Sequence, residues 1–185
     1  KLALDRACSG AIHAEIEALS TLYHPAIPSI EACGVDDEGC AWLVRDAIEG
    51  RPLDEHLSEL RSDPEAVFDL LNQGLDLLLY FDALGRSHGD VKPANFLVEP
   101  GPDGAGPRLR VLDLGAEADV MTAPFAPPER LSEERGARLS DDLFALAVSF
   151  WQGLSGAHPY PGYPAEMPAP GGPGPEPAGD ASSAG

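Results

Sequence analysis

Residues 88 to 98, His-Gly-Asp-Val-Lys-Pro-Ala-Asn-Phe-Leu-Val, constrain this chain more than any other stretch. They set an acid, a base and an amide at Asp90, Lys92 and Asn95, then run into an apolar strand. A carboxylate at Asp90 can accept a proton or orient a hydroxyl. An ammonium at Lys92 can neutralise a transferring phosphoryl group. Asn95 offers a neutral oxygen to a hard cation such as Mg²⁺.

The flanking sequence reads as the scaffold that delivers this loop. Pro64 opens a helix to about Leu84, whose apolar positions Val67, Leu70, Leu71, Leu75, Leu78, Leu79 and Phe81 predict a core position. Gly85 is its expected stop. Leu53 to Leu60 predicts a short helix. Ile12, Ile16, Leu19 and Tyr23 recur at helical spacing over residues 10 to 23, and His24-Pro25 ends that helix. Strands are expected over 27–34 and 40–46, around the acidic turn Val35 to Gly39, and Lys1 to Leu4 suits the end of another. Phe96 to Val98 and Arg108 to Leu112 predict a hairpin that brings Asn95 beside Asp113. Ser140 is expected to cap a last helix running to about Leu154, with Phe144, Leu146, Val148 and Trp151 buried.

Charge narrows the partners. The net charge is −19, from 31 acidic and 12 basic side chains, so nucleic acid is not expected as a general partner. A basic polypeptide would be attracted, although the same charge also keeps a protein soluble. Cys8, Cys33 and Cys40 contain no CxxC pair, which argues against a disulfide scaffold or zinc site and for a reducing, cytoplasmic setting. No apolar run has membrane-spanning length. The chain begins at Lys1 rather than Met and reads as a fragment. Residues 161 to 185, rich in Pro, Gly, Ala and Ser, predict a disordered tail.

The spacing of Asp90, Lys92 and Asn95, followed by Asp113-Leu114-Gly115 and by Thr122 through Pro127-Pro128-Glu129, resembles the eukaryotic-type protein kinases, specifically bacterial serine/threonine kinases. The matching family motifs are the catalytic loop, D-F-G and T-x-x-Y-x-A-P-E. The resemblance covers about residues 1 to 160, as the middle of a catalytic domain. It implies an α+β, two-lobe fold: an N-lobe sheet over about 1–46 lacking its first strands, a hinge at about 46–50, and a mostly helical C-lobe over about 51–160. It also implies ATP and Mg²⁺ as cofactors and a protein substrate as partner.

Roles follow residue by residue. Asp90 would orient the acceptor hydroxyl and take its proton, and Lys92 would neutralise the transferring group. Asn95 and Asp113 would hold Mg²⁺. Lys1 would hold the ATP phosphates, paired with Glu15. Asp46 to Ile48 would bind adenine through backbone groups, with Arg45 at the gatekeeper position behind them, and Leu97 would line the nucleotide site. Thr122 would bond toward Asp90 and Lys92, and with Lys92 it implies Ser or Thr acceptors. Glu129 ordinarily pairs with a late arginine; none follows Arg138, so that anchor is missing or replaced. His88 is expected to be structural, and Asp141 to anchor the catalytic-loop backbone from below.

Departures from the pattern leave other functions open. Only residues 116 to 121 separate Gly115 from Thr122, and Gly89 stands where the family's phosphate-reading arginine falls. Activation is therefore expected not to need phosphorylation of this segment. A Gly-rich phosphate loop and the last C-lobe helices have no counterpart, so transfer by this chain is expected to be impaired. One alternative is a small-molecule phosphotransferase, because aminoglycoside and choline kinases also use His-Gly-Asp with Asn at the same interval; Lys92-Pro93 and Pro127-Pro128-Glu129 argue against it. The other is a pseudokinase or scaffold, which the complete set Asp90, Lys92, Asn95 and Asp113 argues against.

Overall fold

The computed structural model describes residues 2–7, 16–17, 19–104, 106–112, 114, 122–132 and 135–164. Two three-stranded antiparallel sheets precede and flank a largely helical remainder, an α+β arrangement. The first sheet holds β1 (Leu2–Ala7), β2 (Ile30–Val35) and β3 (Ala41–Asp46) in the order β1-β3-β2. The second holds β4 (Arg51–Pro52), β5 (Phe96–Glu99) and β6 (Arg108–Val111) in the order β4-β5-β6. The described helices are α1 (Leu53–Glu59), α2 (Pro64–Ala83), α3 (Pro128–Ser132) and α4 (Leu139–Ser155).

Central position decides which strand is buried. β3 pairs on both sides and buries Ala41 and Leu43 completely, whereas β2 is an edge strand with most side chains exposed. The turn between them is built by Asp36, whose Oδ1 accepts from the amides of Glu38 and Cys40 at 3.0 and 2.9 Å. Gly39 takes φ +80°, which a side chain would resist. Cys40 is disulfide-bonded and Cys33 is a free, exposed thiol. Of the helix expected over 10 to 23, residues 16, 17 and 19–23 are described: 16, 17, 19 and 20 are helical, whereas 21–23 are not, so the helix stops before the expected end at Tyr23.

α2 begins on Asp63, whose side chain accepts from the Ala66 amide at 3.1 Å, with Pro64 in the first turn. Its buried face is Leu70, Gly74, Leu77, Leu78 and Phe81. Leu79, expected on that stripe, is 55% exposed, and Leu77, not expected there, is fully buried. At about 100° per residue, Leu79 lies about 180° from Leu70, so the two cannot share a face. The helix closes through Gly85 at φ +68°, with Gly85 N donating to Asp82 O and Arg86 N to Phe81 O. This paired closure redirects the chain toward the loop at 88.

Gln73 locks the β5–β6 hairpin onto α2: its Nε2 donates to Pro107 O at 2.9 Å and its Oε1 accepts from Leu109 N at 2.8 Å. Val111 N donates to Ala26 O at 2.9 Å, tying the hairpin to the stretch before β2. α4 starts after Arg138 rather than at Ser140, because Asp141 reaches back to accept from the Arg138 amide at 3.0 Å. Within α4, Trp151 is 43% exposed and Phe144 half-buried, while Phe150 takes the core position. No helix among the described residues is long and apolar enough to cross a membrane.

α1 and α4 touch through Gly153, where an added Cβ would sit 2.9 Å from Leu57 Cβ and 3.2 Å from Asp54 Cα. A Gly153→Ala change gains about 1 kcal/mol of helix propensity but overpacks this contact at about 1–3 kcal/mol. The expected result is a net loss of stability, read as a lower urea midpoint at unchanged slope.

Candidate active site

The loop between α2 and β5 is held from beneath by one carboxylate. Asp142, in the first turn of α4, is 2% exposed. Its Oδ2 accepts from His88 N at 2.7 Å and its Oδ1 from Gly89 N at 2.9 Å. The anchor is therefore Asp142, not Asp141. Neighbouring helical residues point about 100° apart, so only one of the tandem aspartates can face the loop. Asp142 lies one turn before the buried Leu146, a spacing that marks the inward face. Asp141 instead takes the Arg135 guanidinium at 2.6 and 3.0 Å. Burial pushes the Asp142 carboxyl up to about 6, with the neighbouring Asp141 charge adding to the rise and the two amides opposing it.

Above this anchor, Asp90 is the centre of a hydrogen-bonded cluster. Lys92 Nζ contacts Asp90 Oδ2 at 2.6 Å. The amide and hydroxyl of Thr122 donate to Asp90 Oδ1 at 2.9 and 2.8 Å. Lys92 Nζ also donates to Thr122 Oγ1 at 2.9 Å, which closes a three-membered ring of contacts. Burial works against ionisation of Asp90, but Lys92 and Thr122 outweigh it and hold the carboxyl below its ordinary value.

Asn95 sits at the end of the 3₁₀ turn Pro93–Asn95 and is 3% exposed. Its Nδ2 donates to the Asp90 carbonyl at 2.9 Å. Its own carbonyl accepts from Leu112 N at 2.8 Å, so the strand register carries the β6 end to the loop. His88 stacks on Phe96 at 5.7 Å and meets Phe81 edge-on at 6.2 Å. Asp113, Lys1 and Glu15 lie outside the described residues.

Asp46 N donates to Ser29 O at 3.1 Å, and Asp46 Oδ2 accepts from Ser29 N at 3.3 Å. Arg110 spans the sheets, with Glu99 at 2.9 Å and Asp46 at 3.9 Å. Sequence reasoning missed this link, whose signal was an arginine alternating with apolar residues on β6. Ile48 and Leu97 are half-buried. Gly50 lets the connecting segment approach β5, since a Cβ there would meet Val98 O at 2.8 Å. Arg45 is half-buried and, two residues after Leu43, lies on the same face of β3. Glu129 is exposed at the start of α3.

Comparison with known proteins gives a consistent family. The family model described as protein kinase domain matches residues 3–167. The serine/threonine-protein kinase PknA of Mycobacterium tuberculosis is 29% identical over 167 residues, covering 80% of this chain and 37% of the relative. The serine/threonine-protein kinase PkaB of Streptomyces coelicolor is 32% identical over 165 residues, covering 80% of this chain and 39% of the relative. The serine/threonine-protein kinase pkn3 of Myxococcus xanthus is 29% identical over 165 residues, covering 79% of this chain and 29% of the relative. The chain thus spans less than two-fifths of the length of these relatives.

The Asp142 anchor makes the loop sensitive to acid. Because its pKa rises from the ordinary 3.8 to about 6, the stability it contributes is fully present below about 3.8 and is lost as pH rises through about 6. Loop order runs the other way, since only the ionised carboxylate accepts fully from both amides. Hydrogen-exchange protection of the His88 and Gly89 amides is expected to fall as pH drops through about 6. Asp142→Ala, which strips both amides of their acceptor, should cost about 2–4 kcal/mol by chemical denaturation near pH 4, and less at pH 7.5, where the pH-linked part is already lost.

Proposed function

The chain belongs to the protein kinase domain family, and from that premise we propose that it serves ATP-dependent phosphoryl transfer to Ser or Thr hydroxyls of proteins. The observation that carries this reading is the ring joining Asp90, Lys92 and Thr122, with Asn95 bonded to the same aspartate. Phosphoryl transfer needs little covalent help from the protein, so placement and charge compensation supply most of the rate.

Each side chain has a task in that scheme. Asp90, kept ionised by Lys92 and Thr122, orients the acceptor hydroxyl and receives its proton as the new bond forms. Lys92 stabilises charge on the transferring group. Thr122 ties the segment that bears the acceptor to the aspartate that orients it, an arrangement suited to a polypeptide rather than a small molecule. Asn95 commits its amide nitrogen to Asp90, which leaves its oxygen as a neutral hard ligand. That donor fits Mg²⁺, with the carboxylate of Asp113 as the expected second ligand. The ion supplies neutralisation of the nucleotide phosphates when bound. The connection at Asp46 to Ile48 and the side chain of Leu97 are proposed to receive the adenine, and Lys1 with Glu15 the phosphates.

The test uses the full-length protein with labelled ATP and parallel panels of proteins, aminoglycosides and sugars. Label should enter Ser and Thr of proteins only. Asp90→Ala should lower transfer by at least about 100-fold while leaving the Mg-ATP-dependent rise in Tm in place. Asp113→Ala should abolish that rise. Transfer to a small molecule instead, or no thermal response to Mg-ATP in the unaltered protein, would overturn the proposal.

A further inference from the structure

The chain beyond α4 doubles back onto the segment that follows Thr122. Gly156, at φ +81°, ends the helix and lets the chain reverse. His158 Nε2 then lies 2.8 Å from the carbonyl oxygen of Pro124. A carbonyl only accepts, so this nitrogen donates; Nδ1 lies against the Tyr160 backbone, 2.9 Å from its carbonyl oxygen and 3.1 Å from its amide nitrogen. The Tyr163 hydroxyl donates to the carbonyl of Ala126. The rings of His158 and Tyr163 stack at 5.0 Å, only 9° from parallel. Of residues 161–164, expected as the start of a disordered tail, 161 and 162 are exposed while Tyr163 and Pro164 are half-buried; the remainder of that tail lies outside the described residues.

The gripped segment is short. Ala123–Phe125 is a single 3₁₀ turn, closed by Phe125 N to Thr122 O at 2.9 Å and Ala126 N to Ala123 O at 3.2 Å. One end is tied to Asp90 through Thr122, and the other is held on either side of Phe125 by His158 and Tyr163. A turn pinned at both ends cannot slide without breaking charged or partly buried hydrogen bonds. Burial, with the charge of Glu129 and the neighbouring Tyr160 adding, pushes the Tyr163 phenol up to about 12, so it remains a donor at any physiological pH.

We infer that His158 and Tyr163 form a strap that sets the position of the turn 123–126, and through it the register of the acceptor polypeptide over Asp90. They are positioning residues, since neither touches the reacting atoms. The inference rests on the proposed kinase reading and adds to it a pair of residues that governs acceptor engagement rather than nucleotide binding. The hydroxyl of Tyr163 is the cleaner handle, because Tyr163→Phe keeps the ring stack and removes only one donor.

The experiment measures steady-state transfer from ATP to a degenerate Ser/Thr peptide pool by the full-length protein. Tyr163→Phe and His158→Ala are each expected to raise the KM for peptide about 5- to 20-fold. The KM for ATP and the slow hydrolysis of ATP without acceptor should stay within twofold. His158→Gln, whose side-chain amide can donate to Pro124 O, should recover most of the loss. Unchanged peptide KM in both single variants overturns the strap, as does a parallel fall in peptide transfer and acceptor-free hydrolysis. If the unaltered protein binds Mg-ATP yet modifies no peptide, the kinase reading is what fails. Hydrogen exchange at the Phe125 and Ala126 amides then decides the strap: acceleration in Tyr163→Phe sustains it, and an unchanged rate overturns it.

Discussion

A single buried negative charge supports the loop on which the chemistry depends. Asp142 is removed from water, which penalises its ionised form, yet that form is the one able to accept from both His88 N and Gly89 N. The loop has no ladder of its own at these amides, so without the carboxylate two partly buried donors would lose their acceptor at its entry. α4 helps to tolerate the charge, because Asp142 stands in the helix's first turn, where the backbone dipole favours an anion. The helix is thus placed by its packing against α1 and α2, and its terminus is used to set a loop.

What Asp142 does for the backbone, Lys92 and Thr122 do for the Asp90 side chain. Both oxygens of Asp90 are engaged, one by Lys92 and one by Thr122, and Asn95 fixes its carbonyl. The consequence is a carboxylate with little rotameric freedom and a depressed pKa. An aspartate of that kind is a weak base in the resting site and a good orienter. It suits a transfer in which the acceptor proton leaves late. Electrostatics and geometry therefore point to the same division of labour, with Asp90 positioning and Lys92 compensating charge.

Much of this was legible in the residues. The long helix from Pro64, the hairpin after Asn95 and the loop between them have strong local signals: a capped start, a glycine stop and alternating apolar strands. Three features were not legible, each for a definite reason. Asp141 and Asp142 are chemically identical neighbours, and choosing between them needs the helix phase, which Leu146 reports only once its burial is known. Leu79 and Leu77 trade places because an apolar count is blind to angle within a leucine-rich run. Arg110 links Glu99 to Asp46 across two sheets; the alternation on β6 marks the arginine but not its partners, which depend on how the sheets meet.

The tail illustrates a different limit of composition. Proline and glycine after residue 160 signal disorder when nothing nearby can bind the chain, yet Tyr163 finds the backbone carbonyl of the buried Ala126 and a histidine ring to stack on. Proline lowers the entropy lost when such a segment is fixed, so a few contacts suffice to hold it. The carbonyls it meets, on Pro124 and Ala126, belong to a turn with few partners of its own. The carbonyls of the turn and the donors of the aromatic segment each satisfy what the other lacks. The site then has two supports acting in opposite directions: α4 holds the loop from below through Asp142, and the strap holds the acceptor side through His158 and Tyr163. Both supports emerge from the same helix, one at each end. A displacement of α4 would for that reason reach Asp90 along two routes, through its own backbone and through Thr122.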